Sequence, residues 1–222
     1  IEGGIHVKKK RILAMILAVA SCLSLAVSAS AASTARKATD FRDFDRTAWY
    51  ADAVSAAVDN GLLYGKSATV IDPNGDMTRA EMAAIINRSF GCYAKADISK
   101  YKDVSKDKWY FEDVAMAVQM GTYNGRSNSS MAPDAPITRQ EAMTVVARAL
   151  ELDYDSYSKA ELTQFSDAGK VSNWAMPYVR AMVGADYIHG RGKVLAPQDN
   201  ITRAEFAQIF HNIIGSYITV KG

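Results

Sequence analysis

Residues 201–213 read ITRAEFAQIFHNI, and nearly the same words stand at residues 77–89, MTRAEMAAIINRS, and at residues 137–149, ITRQEAMTVVARA. Thr and Glu three apart, just ahead of a helical apolar pattern, form a capping box. Thr78, Thr138 and Thr202 cap, while Glu81, Glu141 and Glu205 reach back to the cap's own backbone. Each cap stabilises its helix by about 1 kcal/mol. Structure therefore accounts for the threonine and the glutamate, and leaves the arginine between them unexplained.

Arg79, Arg139 and Arg203 fall at the first helical position, where the helix macrodipole is positive and a cation costs roughly 0.3 to 1 kcal/mol. Something must offset a misplacement made three times. One answer is an internal ion pair, with Asp43, Asp103 or Asp167 or with a neighbouring capping glutamate. The other is an external anion, held by the guanidinium and by free backbone N–H groups at the same helix start.

Working outward, the echoes extend over whole units. Phe41-Arg42-Asp43-Phe44 matches Tyr101-Lys102-Asp103-Val104 and Phe165-Ser166-Asp167-Ala168. Trp49 matches Trp109 and Trp174, Gly65 matches Gly125 and Gly190, and Pro73 matches Pro133 and Pro197. The units run over residues 41–90, 101–150 and 165–214. Within the first, Val54, Ala57 and Val58 share one face of a helix that stops at Asn60-Gly61, a C-terminal signal repeated near Gly121. In the third copy Asp186 stands where that glycine would be, which weakens the expected ending. Pro177 falls in the first turn of the third copy's helix, where its missing donor costs little. A loop with the repeated glycine and a Pro-led turn then lead to the capped helix, so each unit is helix, loop, helix and the chain is all-α.

A helical pair of about 50 residues cannot bury both apolar faces alone, so the copies must pack on one another. Closure around a pseudo-threefold axis and a short solenoid both satisfy this, and periodicity does not choose between them. The connectors, residues 91–100 and 151–164, are polar and carry Tyr93, Tyr154 and Tyr157, as suits linkers lying against the surface.

A second cation recurs: Lys66, Arg126 and Arg191 each follow the repeated glycine. This tips the reading of the motif arginines toward a bound anion. With Trp49, Trp109 and Trp174 available to stack on a sugar ring, the set suits a carbohydrate bearing carboxylate or phosphate. Core packing is an equal reading for the tryptophans.

The ordered set resembles S-layer homology (SLH) modules: Phe-x-Asp-Val, then Trp, then a glycine loop, then Pro, then Ile-Thr-Arg-Ala-Glu and an apolar helix. The resemblance covers residues 41–214. It implies a pseudo-threefold helical prism whose inter-module grooves bind an anionic secondary cell-wall polysaccharide, often pyruvylated, and so anchor the chain to the bacterial cell wall or S-layer surface. It places Arg79, Arg139 and Arg203 on the anion, and makes Asp43, Asp103, Asp167 and the tryptophans groove walls or scaffolding. Alanine at each arginine should then cost affinity and little helix. Gln140 in place of the motif alanine, Asp186, His189 and a shorter third loop are departures that bear most on the groove using the third unit.

The first residues differ from the rest. Lys8, Lys9, Lys10 and Arg11 precede the apolar run 12–27 and the small residues 28–31, the order of a secretory signal peptide over residues 1–31. Glu2-Gly3-Gly4 can be encoded by the purine-rich pattern of a bacterial ribosome-binding site, which makes Val7 the expected translation start. Residues 19–22 resemble a lipoprotein box, but the chain stays apolar past Cys22. Removing residues 1–31 leaves Cys92 as the single cysteine and turns 26 basic and 24 acidic residues into 22 and 23. No internal disulfide can then form, and no global positive field attracts nucleic acid. After cleavage no membrane partner is expected.

An enzyme is not expected. His189 and His211 sit in no nucleophile or zinc pattern, and the carboxylates have capping or turn roles, leaving a wall-active glycosidase as the weakest reading. Asp72-Pro73-Asn74-Gly75-Asp76 alternates oxygens as calcium loops do, yet Met77 and Ala83 occupy the positions of the required Gly and Glu. No metal or cofactor is expected. Direct peptidoglycan binding, and an anchor cut from a larger surface-layer protein or enzyme, are the alternatives to polymer binding.

Overall fold

Thr78, Thr138 and Thr202 each leave an extended stretch and start a helix, and in all three the threonine Oγ accepts from the glutamate N–H at 3.2 to 3.4 Å. The glutamate carboxylate accepts the threonine's own N–H at 2.9 to 3.0 Å. The capping boxes thus form as expected. The computed structural model describes residues 36–219, with side chains as far as 214. The expected signal peptide, its cleavage site and the Val7 start lie outside the described residues. Among the described residues six helices follow in order: α1 (Ala51–Asp59), α2 (Arg79–Phe90), α3 (Phe111–Gln119), α4 (Arg139–Ala149), α5 (Met176–Gly184) and α6 (Arg203–Thr219). Short 3-10 turns sit at Ala38–Asp40 and Ala168–Lys170. Among the described residues only isolated β-bridges accompany them, so the fold is all-α. None of the described helices is long and apolar enough to cross a membrane.

The short first helix of the first repeat buries the face read from its periodicity, Val54, Ala57 and Val58 in α1, and Ala53 beside it. The end of this helix and of its second copy is set by a residue in the left-handed region, Gly61 at φ 65° and Gly121 at φ 75°. Asp186 takes the same conformation at φ 62°, with its N–H on the Val183 carbonyl at 3.0 Å. The third ending therefore survives the loss of glycine, since a short polar side chain tolerates this region at modest cost.

The three repeats close into a ring. Met77 N–H donates to the Ile201 carbonyl, Ile201 N–H to Ile137, and Ile137 N–H to Met77, each at 3.0 Å, a cycle that only a pseudo-threefold arrangement can make. All three side chains are fully buried. First helices pack against the preceding repeat's second helix: α3 on α2, α5 on α4, and α1 on α6, the last joining the two ends of the chain. Of the two arrangements open to the sequence, the prism is the one formed. A short solenoid would have left the apolar faces of α1 and α6 in water.

The repeated aspartates and glycines brace the loops. Asp43 accepts from the N–H groups of Ile71 and Asp72 at 2.9 and 2.8 Å, Asp103 from Met131 and Ala132 at 2.9 and 2.7 Å, and Asp167 from Leu195 and Ala196 at 2.7 and 2.8 Å. The second residue of each pair, Asp72, Ala132 or Ala196, has φ between 51° and 55°, a left-handed backbone that costs an ordinary residue roughly 1 to 2 kcal/mol. Two charge-assisted hydrogen bonds per aspartate hold it there. At Gly65 a Cβ would lie 2.4 Å from the Phe41 ring, and Gly125 and Gly190 stand equally close to Tyr101 and Phe165. The repeated glycine and the repeated aromatic are thus two halves of one contact.

The motif arginines are buried, at 4%, 5% and 2% exposure for Arg79, Arg139 and Arg203. Each guanidinium crosses into the next repeat around the ring. Nε of Arg79 donates to the Met131 carbonyl at 2.8 Å, that of Arg139 to Leu195 at 2.9 Å, and that of Arg203 to Ile71 at 2.9 Å. Nη1 meets the next repeat's capping glutamate: Arg79 with Glu141 at 3.4 Å, Arg139 with Glu205 at 2.9 Å, and Arg203 with Glu81 at 3.2 Å. The internal ion pair is therefore real, but its acid is the capping glutamate of the next repeat and not the aspartate of the turn. The backbone N–H groups at the helix starts are also taken. Arg79, Arg139 and Arg203 donate to Ala135, Asp199 and Gly75, and Ala80, Gln140 and Ala204 donate to Pro133, Pro197 and Pro73. No donor is left at those helix tips for an external anion, which corrects that part of the sequence reading.

Burial changes what alanine should do. Arg203→Ala removes a buried cation from Glu81 and from the Ile71 carbonyl, and should destabilise the fold by roughly 3 kcal/mol or more. Urea unfolding followed by circular dichroism checks this, and an unchanged midpoint would mean the arginine does not hold the ring. The aspartates supply a pH dependence. Burial opposes their ionisation, but the backbone N–H groups of the loop outweigh it and hold Asp43, Asp103 and Asp167 below the ordinary 3.8. A lowered folded pKa gives stability that is complete above 3.8 and is lost as pH falls through the folded value. Melting temperature should be flat on this account above about pH 5 and drop below about pH 4, and Asp103→Asn should flatten that drop.

Candidate anion-binding grooves

Between repeats lie three clefts, of about 290, 400 and 270 Å3. Groove 1 is built on the first repeat's glycine loop and lined by Tyr64, Lys66, Glu81, Arg88, Trp109 and Arg203. Groove 2 uses the second loop, with Asn124, Arg126, Glu141, Arg148, Trp174 and Arg79. Groove 3 uses the third, with His189, Arg191, Glu205, Asn212, Trp49 and Arg139. Every groove takes its loop and glutamate from one repeat, its buried arginine from the repeat before and its tryptophan from the repeat after.

On each floor the glutamate stands between two cations. Glu81 meets Lys66 at 2.6 Å as well as Arg203. Glu141 meets Arg126 at 3.1 Å as well as Arg79. Glu205 meets Arg191 at 2.6 Å as well as Arg139. Burial resists ionisation of Glu81 and Glu205, but Lys66 and Arg191 respectively, the cap N–H and the buried arginine carry both below the ordinary carboxylate value. Burial likewise pulls Arg139 and Arg203 down, against the glutamate that holds their charge. Arg191 is pushed up by its hydrogen bond to Glu205. The result is a fixed row of alternating charge, cation, glutamate and cation, whose outer member is the more exposed.

The outer cations Lys66, Arg126 and Arg191 keep 36% to 40% of their side chains exposed, against 3% to 6% for the motif arginines. The structure thus brings both predicted sets of cations into the same clefts, with unequal access to solvent. Trp49, Trp109 and Trp174 are 64%, 63% and 52% exposed. They are groove walls, and their core place is taken by the next residue in each copy, the buried Tyr50, Tyr110 and Ala175. Each of the first two indoles meets its neighbouring tyrosine edge-on, at 5.6 and 5.4 Å between ring centres. Asp43, Asp103 and Asp167 are absent from all three linings and take the scaffolding role described above.

The sequence reading passed over Arg88 and Arg148, which stand at the same place near the ends of α2 and α4 and line grooves 1 and 2. Their recurrence nine residues after the motif arginine was the available signal. A cation in the last turn of a helix is also the common way to complement the macrodipole, so recurrence alone does not mark a site.

The three repeats match the family model described as S-layer homology domain, over residues 40–83, 100–143 and 164–207. The chain is 33% identical over 200 residues to the surface-layer 125 kDa protein of Lysinibacillus sphaericus, covering 88% of this chain and 17% of that protein. It is 24% identical over 210 residues to an endoglucanase of Bacillus sp. (strain KSM-635), covering 92% and 22%. With the S-layer protein sap of Bacillus anthracis it shares 24% over 168 residues, covering 76% and 20%. The chain spans less than a quarter of the length of these relatives, and the shared part carries the repeats just described. The chain belongs to the S-layer homology domain family.

Proposed function

We propose that this chain is a non-catalytic anchor that holds the bacterial cell wall or S-layer surface through an anionic glycan bound in its inter-repeat grooves. The observation that carries the reading is the combination repeated in all three grooves: an exposed indole on one wall facing a floor where a glutamate stands between two cations. An indole offers a flat apolar face to a sugar ring, and a half-exposed cation offers charge-assisted hydrogen bonds to a carboxylate or phosphate on it. The ligand contacts fall to the tryptophans and to Lys66 and Arg126, with Arg191 in the corresponding place in groove 3. Arg79, Arg139 and Arg203 act from behind, positioning the glutamate that holds the outer cation. The catalytic work named for the endoglucanase relative belongs to that protein, and the part it shares with this chain is the repeat unit.

The secondary wall polysaccharide, pyruvylated or otherwise acidic, is preferred to bare peptidoglycan because the cations outnumber the carboxylates in grooves 1 and 2. Recombinant residues 32–222 should sediment with isolated cell wall and stay in solution with wall stripped of its secondary polymer. Equal sedimentation with both would transfer the reading to peptidoglycan, and sedimentation with neither would end it. Trp109→Ala or Trp174→Ala should weaken binding by about 1 to 3 kcal/mol if the indole stacks on the sugar, a range borrowed from aromatic stacking on nucleic-acid bases.

A further inference from the structure

The grooves share one plan, but they differ in charge, and the difference lies at a single helix position and its neighbourhood. Nine residues after the motif arginine, α2 has Arg88, α4 has Arg148 and α6 has Asn212. In groove 1 the Arg88 guanidinium lies 4.2 Å over the Tyr64 ring, and its Nε donates to the Ala84 carbonyl at 3.0 Å. Its Nη1 is buried and has no hydrogen-bond partner among the described residues. In groove 2 Arg148 lies 4.8 Å over Tyr178 and donates from Nη2 to the Tyr178 hydroxyl at 3.2 Å. Among the ion pairs of the described residues, neither arginine has a carboxylate partner.

Groove 3 is neutralised. Asn212 is already engaged at both ends of its amide, donating to the Tyr187 carbonyl at 3.1 Å and accepting from Gln208 at 2.7 Å. Arg191 is held by Asp199 at 2.8 Å in addition to Glu205. The corresponding positions in the other repeats are Gly75 and Ala135, which carry no charge. Grooves 1 and 2 therefore set three cations against one carboxylate, while groove 3 sets two against two.

An arginine stacked on a tyrosine is pinned in one orientation, with its remaining donors directed rather than swept through solvent. A buried N–H without a partner is costly in the protein alone, and an incoming anion oxygen relieves that cost. Resting on the glycan reading above, we propose that Arg88 and Arg148 are anion-binding residues of grooves 1 and 2, and that they make these two grooves, and not groove 3, the sites for an acidic sugar substituent. Each arginine lines the same cleft as the outer cation, Lys66 in groove 1 and Arg126 in groove 2.

The test is calorimetric titration of the chain with size-fractionated acidic wall oligosaccharide from Lysinibacillus sphaericus. The same fragments after carboxyl reduction and after phosphate removal tell which anion is read. The expected result is two sites per chain. Arg88→Gln and Arg148→Gln should each remove one site, weakening it at least about tenfold, with the melting temperature monitored alongside. Arg88→Lys, which keeps the charge and loses the fork, should weaken groove 1 less than glutamine does. Asn212→Arg combined with Asp199→Ala should add a third site, a gain that no loss of folding can imitate. Three sites in the unaltered chain, or glutamine variants that bind as it does, would overturn the inference and leave the anchor reading standing. No binding by the unaltered chain would remove both, and binding untouched by either chemical treatment would show that no anion is read.

Discussion

A buried guanidinium that leaves its own helix to satisfy the next repeat is the constraint on which this molecule depends. Arg79, Arg139 and Arg203 each start a helix at its electropositive end, reach across a repeat boundary, and meet a loop carbonyl and a glutamate there. That glutamate is already committed to capping its own helix. A helix cap and an inter-repeat ion pair are therefore one structure, and neither end can shift without the other. Burying such a pair contributes little net free energy compared with an apolar contact, but breaking it leaves an uncompensated charge. Its effect is to fix which repeat faces which, and at what register.

The loop ahead of each capped helix is gripped from two sides. An aspartate takes the N–H groups of residues 71 and 72, 131 and 132, or 195 and 196, and an arginine from the preceding repeat takes the carbonyl of the first residue in each pair. The left-handed backbone at Asp72, Ala132 and Ala196 persists because both grips oppose its relaxation. The repeated letters Asp, Gly and Arg, far apart in each repeat, converge on one short segment. That convergence explains why the copies keep those letters through wide divergence in their helices.

Local features were legible in the residues themselves, whereas cyclic ones were reached only through the resemblance to a known family. Capping boxes, helix ends and the apolar face of α1 follow from residues within a few positions of one another, and they stand where the pattern puts them. Even Asp186 reproduces the glycine ending. The partner of Arg79 could not be read this way, because Glu141 lies 62 positions on and was already accounted for by its cap. Nor could the fate of the tryptophans be read. An indole serves equally in a core or on a groove wall, and what decided it was the buried residue that follows each one. Ring closure could not be read from periodicity, since the pairing of α1 with α6 joins residues from opposite ends of the fold; it came from the resemblance to SLH modules.

The cyclic plan also determines how function is distributed. Because a groove draws its loop, its buried arginine and its indole from three different repeats, no repeat owns a site, and no pair of repeats completes one. Three is the smallest number at which every loop has an arginine behind it and a tryptophan beside it. Symmetry supplies three equivalent frames, but the residues that furnish them are free to diverge. Groove 3 shows the consequence: Asp199 and Asn212 alter its charge while the arginine, glutamate and loop that keep the ring closed remain in place. The ring can thus tolerate loss of charge excess in one groove because the positions that set it lie outside the contacts that hold the repeats together.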